Sequence, residues 1–90
     1  MANVRILVSL NSQGKIECEV KDYLNRNGSG SINLHISGIT PDIIQPIDNL
    51  TNQWQIIQFN TVNNTGNYYK VSAILSVGSE VDEDEQIFKL

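Results

Sequence analysis

The sequence contains few of the residues that build cross-linked or catalytic sites. Its 90 residues include one cysteine, one histidine and one tryptophan. Because Cys18 is the only thiol, no internal disulfide can form, and we expect a reducing setting. No apolar run reaches the roughly 18 residues of a membrane-spanning helix, so we expect no membrane partner. The N-terminal residues alternate like a strand and lack a signal-peptide layout, which predicts a protein of the cytoplasm or of a particle assembled there.

Positive charge is not in excess anywhere along the chain. Residues 1–79 carry equal numbers of acidic and basic side chains, so the formal net charge of −4 comes entirely from residues 80–90, EVDEDEQIFKL. Proteins that bind nucleic acid neutralise its phosphates with clustered lysine and arginine. Since this chain has no basic stripe, we expect no nucleic-acid partner.

Alternation of apolar and polar residues dominates the sequence. Patterns of period two, each typical of a strand, occur over residues 4–10, 16–21, 32–36, 54–59, 67–78 and 86–90. Turns rich in Gly, Asn and Ser separate them, and the sequence shows no long amphipathic helix. We predict one all-β domain over residues 1–90, a small antiparallel β-sandwich of about six or seven strands.

The segment at residues 40–53, TPDIIQPIDNLTNQ, interrupts this rhythm. Pro46 prevents a helix from continuing far. We therefore expect at most one helical turn, followed by a loop whose isoleucines and Leu50 cover an end of the core. A short edge strand near residues 43–45 is the alternative.

Two adjacent tyrosines near the C-terminal end differ in phase. Tyr69 shares the phase of Val71 and should point into the core, whereas Tyr68 should point outward. The stretch YKVSA at residues 69–73 resembles the Tyr-x-Val-x-Ala pattern on the penultimate strand of immunoglobulin-like and fibronectin type III-like sandwiches. The resemblance implies that fold, with a tyrosine corner in which the Tyr69 hydroxyl bonds to upstream backbone. The chain departs from the family in lacking its paired cysteines.

Few side chains combine into a catalytic arrangement. His35 lies on the polar face of the third predicted strand, with no second histidine to help it bind a metal. Cys18 is in phase with the apolar residues of its strand, so we expect a buried thiol instead of a nucleophile. We predict no catalytic residues, no metal, no cofactor and no enzymatic activity.

The acidic run near the C-terminal end allows three interpretations. Its members are Glu80, Asp82, Glu83, Asp84 and Glu85. Clustered carboxylates attract hard cations, but these acids are not spaced as in a calcium loop. We favour a solvated charged turn between the last two strands, which would also discourage pairing at the neighbouring sheet edge. The third interpretation is a surface that attracts a basic protein.

Five large side chains fall out of phase with the predicted core. They are Leu7, Trp54, Ile56, Tyr68 and Ile74. A contiguous apolar patch on a sheet is typical of a binding surface, and Trp and Tyr are common anchors there. The alternative is that the fourth strand is buried on both faces, or that Trp54 points inward at an end of the sandwich.

These features favour a non-enzymatic structural or protein-interaction module that contacts another protein or a second copy of itself. The Asn- and Ile-rich composition suits an accessory subunit of a phage or virus particle or of another large assembly. The second hypothesis is a small acidic inhibitor or adaptor that binds a basic protein surface through residues 80–85. The third is a carbohydrate-binding module in which Trp54 and Tyr68 stack on sugar rings.

Overall fold

The structure, a computed structural model, describes residues 3–38, 41–59 and 68–89. These residues form seven β-strands: β1 (Val4–Leu10), β2 (Ile16–Asp22), β3 (Gly28–Ile36), β4 (Ile43–Leu50), β5 (Gln55–Gln58), β6 (Tyr68–Val77) and β7 (Glu80–Lys89). Within the described ranges there is no helix. The prediction of an all-β domain with about six or seven strands is confirmed.

The strands form two antiparallel sheets that pack face to face as a small sandwich. Sheet A has the strand order β1-β2-β5, and sheet B has the order β4-β3-β6-β7. β4 joins sheet B beside β3, which gives three strands plus four, instead of the four plus three of a constant-type immunoglobulin domain. The immunoglobulin-like and fibronectin type III-like resemblance stays a prediction.

The core lies between the sheets and contains the in-phase residues that the alternation predicts. Fully buried members include Val4, Ile6, Ile16, Cys18 and Val20 from sheet A and Ile32, Leu34, Tyr69, Val71 and Leu75 from sheet B. The Tyr69 ring stacks on Phe88 of β7 with 5.4 Å between centroids, whereas Tyr68 is exposed. The predicted orientations of both tyrosines are therefore confirmed, and the tyrosine corner stays a prediction.

Residues 43–50 form a strand, so the expectation of a helical turn followed by a loop is wrong. The alternative of an edge strand is right in kind, but the strand is longer than residues 43–45. Pro46 fits because β4 lies at the edge of sheet B, where a missing N–H breaks no ladder hydrogen bond. Ile47 and Leu50 still reach the core, as the sequence predicted for Leu50.

Residues 80–85 also lie in a strand, so the interpretation of this run as a solvated turn is wrong. β7 pairs with β6 along its whole length, from Val77 opposite Glu80 to Tyr68 opposite Lys89. The turn itself is tight and contains Gly78 at a φ of 61°. The long β6 strand offers backbone partners along its length, and this pairing outweighs the weak strand preference of aspartate and glutamate.

Candidate interaction surfaces

The outer face of sheet A carries a mixed apolar and charged surface. Strand pairing places Leu7 of β1, Glu19 of β2 and Ile56 of β5 in one row across the sheet. Leu7 is 49% exposed and Ile56 is 58% exposed. In the next row the Nε2 atom of Gln58 donates a hydrogen bond to the Glu17 carboxylate over 2.9 Å. Apolar side chains thus border a central line of carboxylates.

Beside this row, Lys21 lies between two exposed aromatic rings. Its Nζ atom is 4.3 Å from the centroid of the Tyr23 ring and 4.7 Å from that of the Trp54 ring. Tyr23 follows β2 and Trp54 precedes β5, so the pairing of these two strands brings the rings together. An ammonium group over an aromatic face is attracted by the ring quadrupole. We call Lys21, Tyr23 and Trp54 the aromatic clamp.

Sequence reasoning identified Trp54 but missed Tyr23. The available signal was its phase, since Tyr23 continues the outward-facing series of Glu19 and Lys21. The alternatives considered for Trp54 are wrong. β5 is an edge strand with an exposed Ile56, so it is not buried on both faces, and Trp54 contacts Lys21 on the outer face.

Tyr68 and Ile74 lie on the outer face of sheet B, so the five out-of-phase residues do not form one patch. The Tyr68 ring is 6.4 Å from the ring of His35, and Ile74 stands between Ser31 and Glu83 in its cross-strand row. The grouping fails because β6 belongs to the other sheet. Phase along a strand shows which residues point outward but does not show which sheet they leave.

His35 takes part in a small hydrogen-bonded group on the outer face of sheet B. Its Nδ1 atom is 2.8 Å from Oδ1 of Asp42, and the Nδ2 atom of Asn33 donates to the other Asp42 oxygen over 2.9 Å. The hydrogen bonds from Asn33 and then from His35 lower the pKa of Asp42. The group orients the imidazole along the sheet surface.

Cys18 lies in the core on the inner face of sheet A, so it does not meet His35. Burial raises the pKa of its thiol to about 12, and the nearby carboxylates of Glu19 and Asp84 raise it further in the same direction. A thiol with that pKa is a poor nucleophile near neutral pH. Within residues 3–38, 41–59 and 68–89, no three His, Cys, Asp or Glu side chains are grouped to hold a metal ion.

The strand β7 divides the acidic run between two environments. Glu83 and Glu85 project from the outer face of sheet B, where Lys70 Nζ lies 3.5 Å from Glu85 Oε2. Asp82 and Asp84 have the opposite phase and are half-buried. Asp84 accepts a hydrogen bond from the backbone N–H of Ile6 in β1.

Arg26 gathers the remaining acids at one end of the sandwich. Its Nε atom donates to Asp22 over 3.0 Å, its Nη1 atom donates to Glu80 over 3.1 Å, and its Nη2 atom contacts Asp82. The Asp22 side chain is fully buried and also accepts hydrogen bonds from the backbone N–H groups of Leu24 and Arg26. The guanidinium therefore ties the β2–β3 connection to the start of β7. These contacts weaken the hypothesis that the run is an open surface for a basic protein.

No protein-family model, curated protein or solved structure matches this chain. Among the residues that the structure describes, no helix has the length and apolar character needed to cross a membrane.

Proposed function

We propose that the protein is a non-enzymatic interaction module that docks on another protein through the outer face of sheet A. The observation that carries the proposal is the aromatic clamp beside Leu7 and Ile56, which places two exposed rings and two exposed aliphatic side chains on one side of one sheet. Grouped apolar side chains on a soluble protein are typical of interaction sites. Trp and Tyr are enriched among the residues that dominate binding energy.

The physical properties of this face suit a protein partner. Covering Trp54 and Ile56 would contribute about 25 cal/mol for each Å² of apolar surface removed from water. The contact with Lys21 already orders the two rings, so less side-chain freedom is lost on binding. Glu17 and Glu19 lie beside the apolar groups and would select a partner of complementary charge.

The proposed setting is an accessory subunit of a phage or virus particle or of another large assembly. Its support is the Asn- and Ile-rich composition of the chain, together with the small size of the domain. A large assembly would provide the extended protein surface on which one face of a small sandwich could dock.

Affinity capture from the native source tests the proposal when three forms of the protein are compared. Trp54→Ala removes one ring of the clamp, and Tyr68→Ala is the matched control because it removes an exposed aromatic ring from the opposite sheet. We expect a specific protein to be retained by the wild type and by Tyr68→Ala. Its affinity for Trp54→Ala should be lower by about 30-fold, the loss expected at a binding hot spot. Equal affinity for all three forms would contradict the proposal.

Carbohydrate binding is the second candidate, and the structure changes the residues that would perform it. Trp54 and Tyr68 leave opposite sheets and cannot stack on one sugar, whereas Trp54 and Tyr23 flank Lys21 on the same face. Trp54 is the only tryptophan, so a bound sugar should change the intrinsic fluorescence. Unchanged fluorescence across a broad glycan panel, at concentrations up to about 1 mM, would remove this candidate.

A further inference from the structure

The edge of β5 is a second interaction surface, distinct from the outer face of sheet A. We infer that β5 pairs antiparallel with β5 of a second copy of this chain, which joins two sheets A into one continuous sheet. The inference goes beyond the proposed function because it requires no other protein. It rests on a comparison of the four sheet edges and on the direction of the backbone groups of β5.

Both edges of sheet B carry features that oppose strand pairing. β4 contains Pro46, which lacks an N–H, and the charged Asp48. β7 places Asp82 and Asp84 on its inward-facing side. Proline and inward-pointing charges are the usual means by which edge strands avoid pairing with another chain.

One edge of sheet A is also occupied. The backbone N–H of Ile6, which points away from β2, donates to the Asp84 carboxylate over 3.0 Å. Arg5 Nε lies 3.4 Å from the same carboxylate oxygen. A second copy would have to displace these contacts in order to pair with β1.

The strand β5 has none of these protections. Its residues Gln55–Gln58 read QIIQ, without a charge or a proline. Among the described strands, β5 pairs only with β2. An uncharged edge strand that exposes large apolar side chains is a ready template for another strand.

Backbone direction shows which groups the second copy would meet. The N–H of Phe59 donates to the carbonyl oxygen of Ile16 over 2.9 Å, so Phe59 faces β2. Backbone groups of successive residues alternate in direction along an antiparallel strand. The N–H and C=O groups of Trp54, Ile56 and Gln58 therefore point away from β2, toward the open edge.

Sheet geometry then selects the register of the pair. A two-fold axis perpendicular to the sheet keeps the outer faces of both copies on one side, so paired residues must share the same phase. An axis through Ile56 pairs Ile56 with the second copy's Ile56 and pairs Trp54 with the second copy's Gln58. All three outward-pointing residues then exchange hydrogen bonds, whereas an axis through Ile57 leaves Trp54 without a partner. The axis through Ile56 is therefore the predicted one, and it places the two aromatic clamps on one face.

Sedimentation equilibrium with a matched pair of variants tests this inference. Ile56→Lys puts two like charges opposite each other at the two-fold axis, which disfavours strand pairing. Ile44→Lys is the control, because Ile44 is an isoleucine of similar exposure on the edge strand of the other sheet, 65% against 58%. We expect a dimer for the wild type and for Ile44→Lys, and a dimer dissociation constant raised more than about tenfold for Ile56→Lys.

Cysteine cross-linking provides a second measurement that does not depend on the lysine variant folding. Residues in a hydrogen-bonded antiparallel pair have Cα atoms about 5.5 Å apart, which a disulfide can span. Ile56→Cys should form a covalent dimer under mild oxidation, and Ile44→Cys should not. A wild type that stays monomeric up to about 1 mM, or a dimer that Ile56→Lys leaves unchanged, would overturn the inference. A monomer that still binds another protein through Trp54 would leave the proposed function standing.

Discussion

The backbone N–H of Ile6 in β1 donates a hydrogen bond to Oδ2 of Asp84 in β7 over 3.0 Å. The two residues belong to different sheets, so a side-chain carboxylate takes the place of a neighbouring strand at this edge of sheet A. Arg5 adds an ion pair to the same oxygen. The contact closes one side of the sandwich and gives a structural reason for an acid on the inward-facing side of an edge strand.

Removal of this carboxylate should destabilise the fold. Asp84→Ala leaves the half-buried Ile6 N–H without its acceptor, and we expect the free energy of unfolding to fall by about 1–2 kcal/mol. Urea unfolding measures the change. Glu83→Ala is the control, since Glu83 projects outward from the next position, and its effect should stay within about 0.5 kcal/mol. Similar effects of the two substitutions would show that Asp84 has no special role at this edge.

Loss of the Arg26 side chain should have a larger effect. Arg26→Ala leaves the fully buried Asp22 carboxylate without its charged partner, at a cost of about 3 kcal/mol. Arg26→Lys keeps the charge but loses the planar fork that reaches Asp22, Glu80 and Asp82 together, so its stability should be intermediate. Arg5→Ala is the control, because Arg5 is half exposed and should contribute less than about 1 kcal/mol. An Arg26→Lys variant as stable as the wild type would contradict the need for the fork.

Stability should fall in acid because of Asp22. Burial acts to raise the pKa of this carboxyl, but the hydrogen bonds from the side chain and backbone of Arg26 and from the backbone of Leu24 outweigh it and lower the pKa. Its contribution is therefore present above the unfolded-state pKa of about 3.9 and is lost as pH falls through the lower folded-state value. Urea unfolding below about pH 5 should show a loss of stability that is reduced in Asp22→Asn. Asp48→Asn, at an exposed position on β4, should keep the wild-type pH dependence.

The thiol of Cys18 should be unreactive in the folded protein. It is fully buried, and burial raises its pKa to about 12. At pH 8, labelling by a thiol reagent should proceed at the rate of global or local unfolding, and it should accelerate sharply in denaturing urea. Rapid labelling of the native protein at the rate of a free thiol would show that β2 is accessible from the core side.

Period-two alternation predicted the strands and their orientation well. It placed Cys18 and Tyr69 in the core and Tyr68 outside, as the structure has them. The two largest errors concern β4 and β7, where proline and acidic residues hide the strand pattern. In both cases a neighbouring strand supplies a long backbone ladder, and local preference gives way to it.

The candidate surface was only half predictable. Trp54 and Ile56 were identified because they fall out of phase with the core, but Tyr23 was not, and Tyr68 was assigned to the same patch. Correct grouping required the knowledge that β5 pairs with β2 while β6 pairs with β3. The role of Asp84 was equally hidden, since its partner lies 78 residues away along the chain.

The sequence by itself determined which residues are buried and which point outward within each strand, because alternation is a local property imposed by the geometry of an extended chain. Tertiary structure alone decided which strands share a sheet, which edges are occupied and which exposed side chains become neighbours. Strand pairing uses backbone groups that every residue carries, so the sequence of one strand contains little information about the identity of its partner.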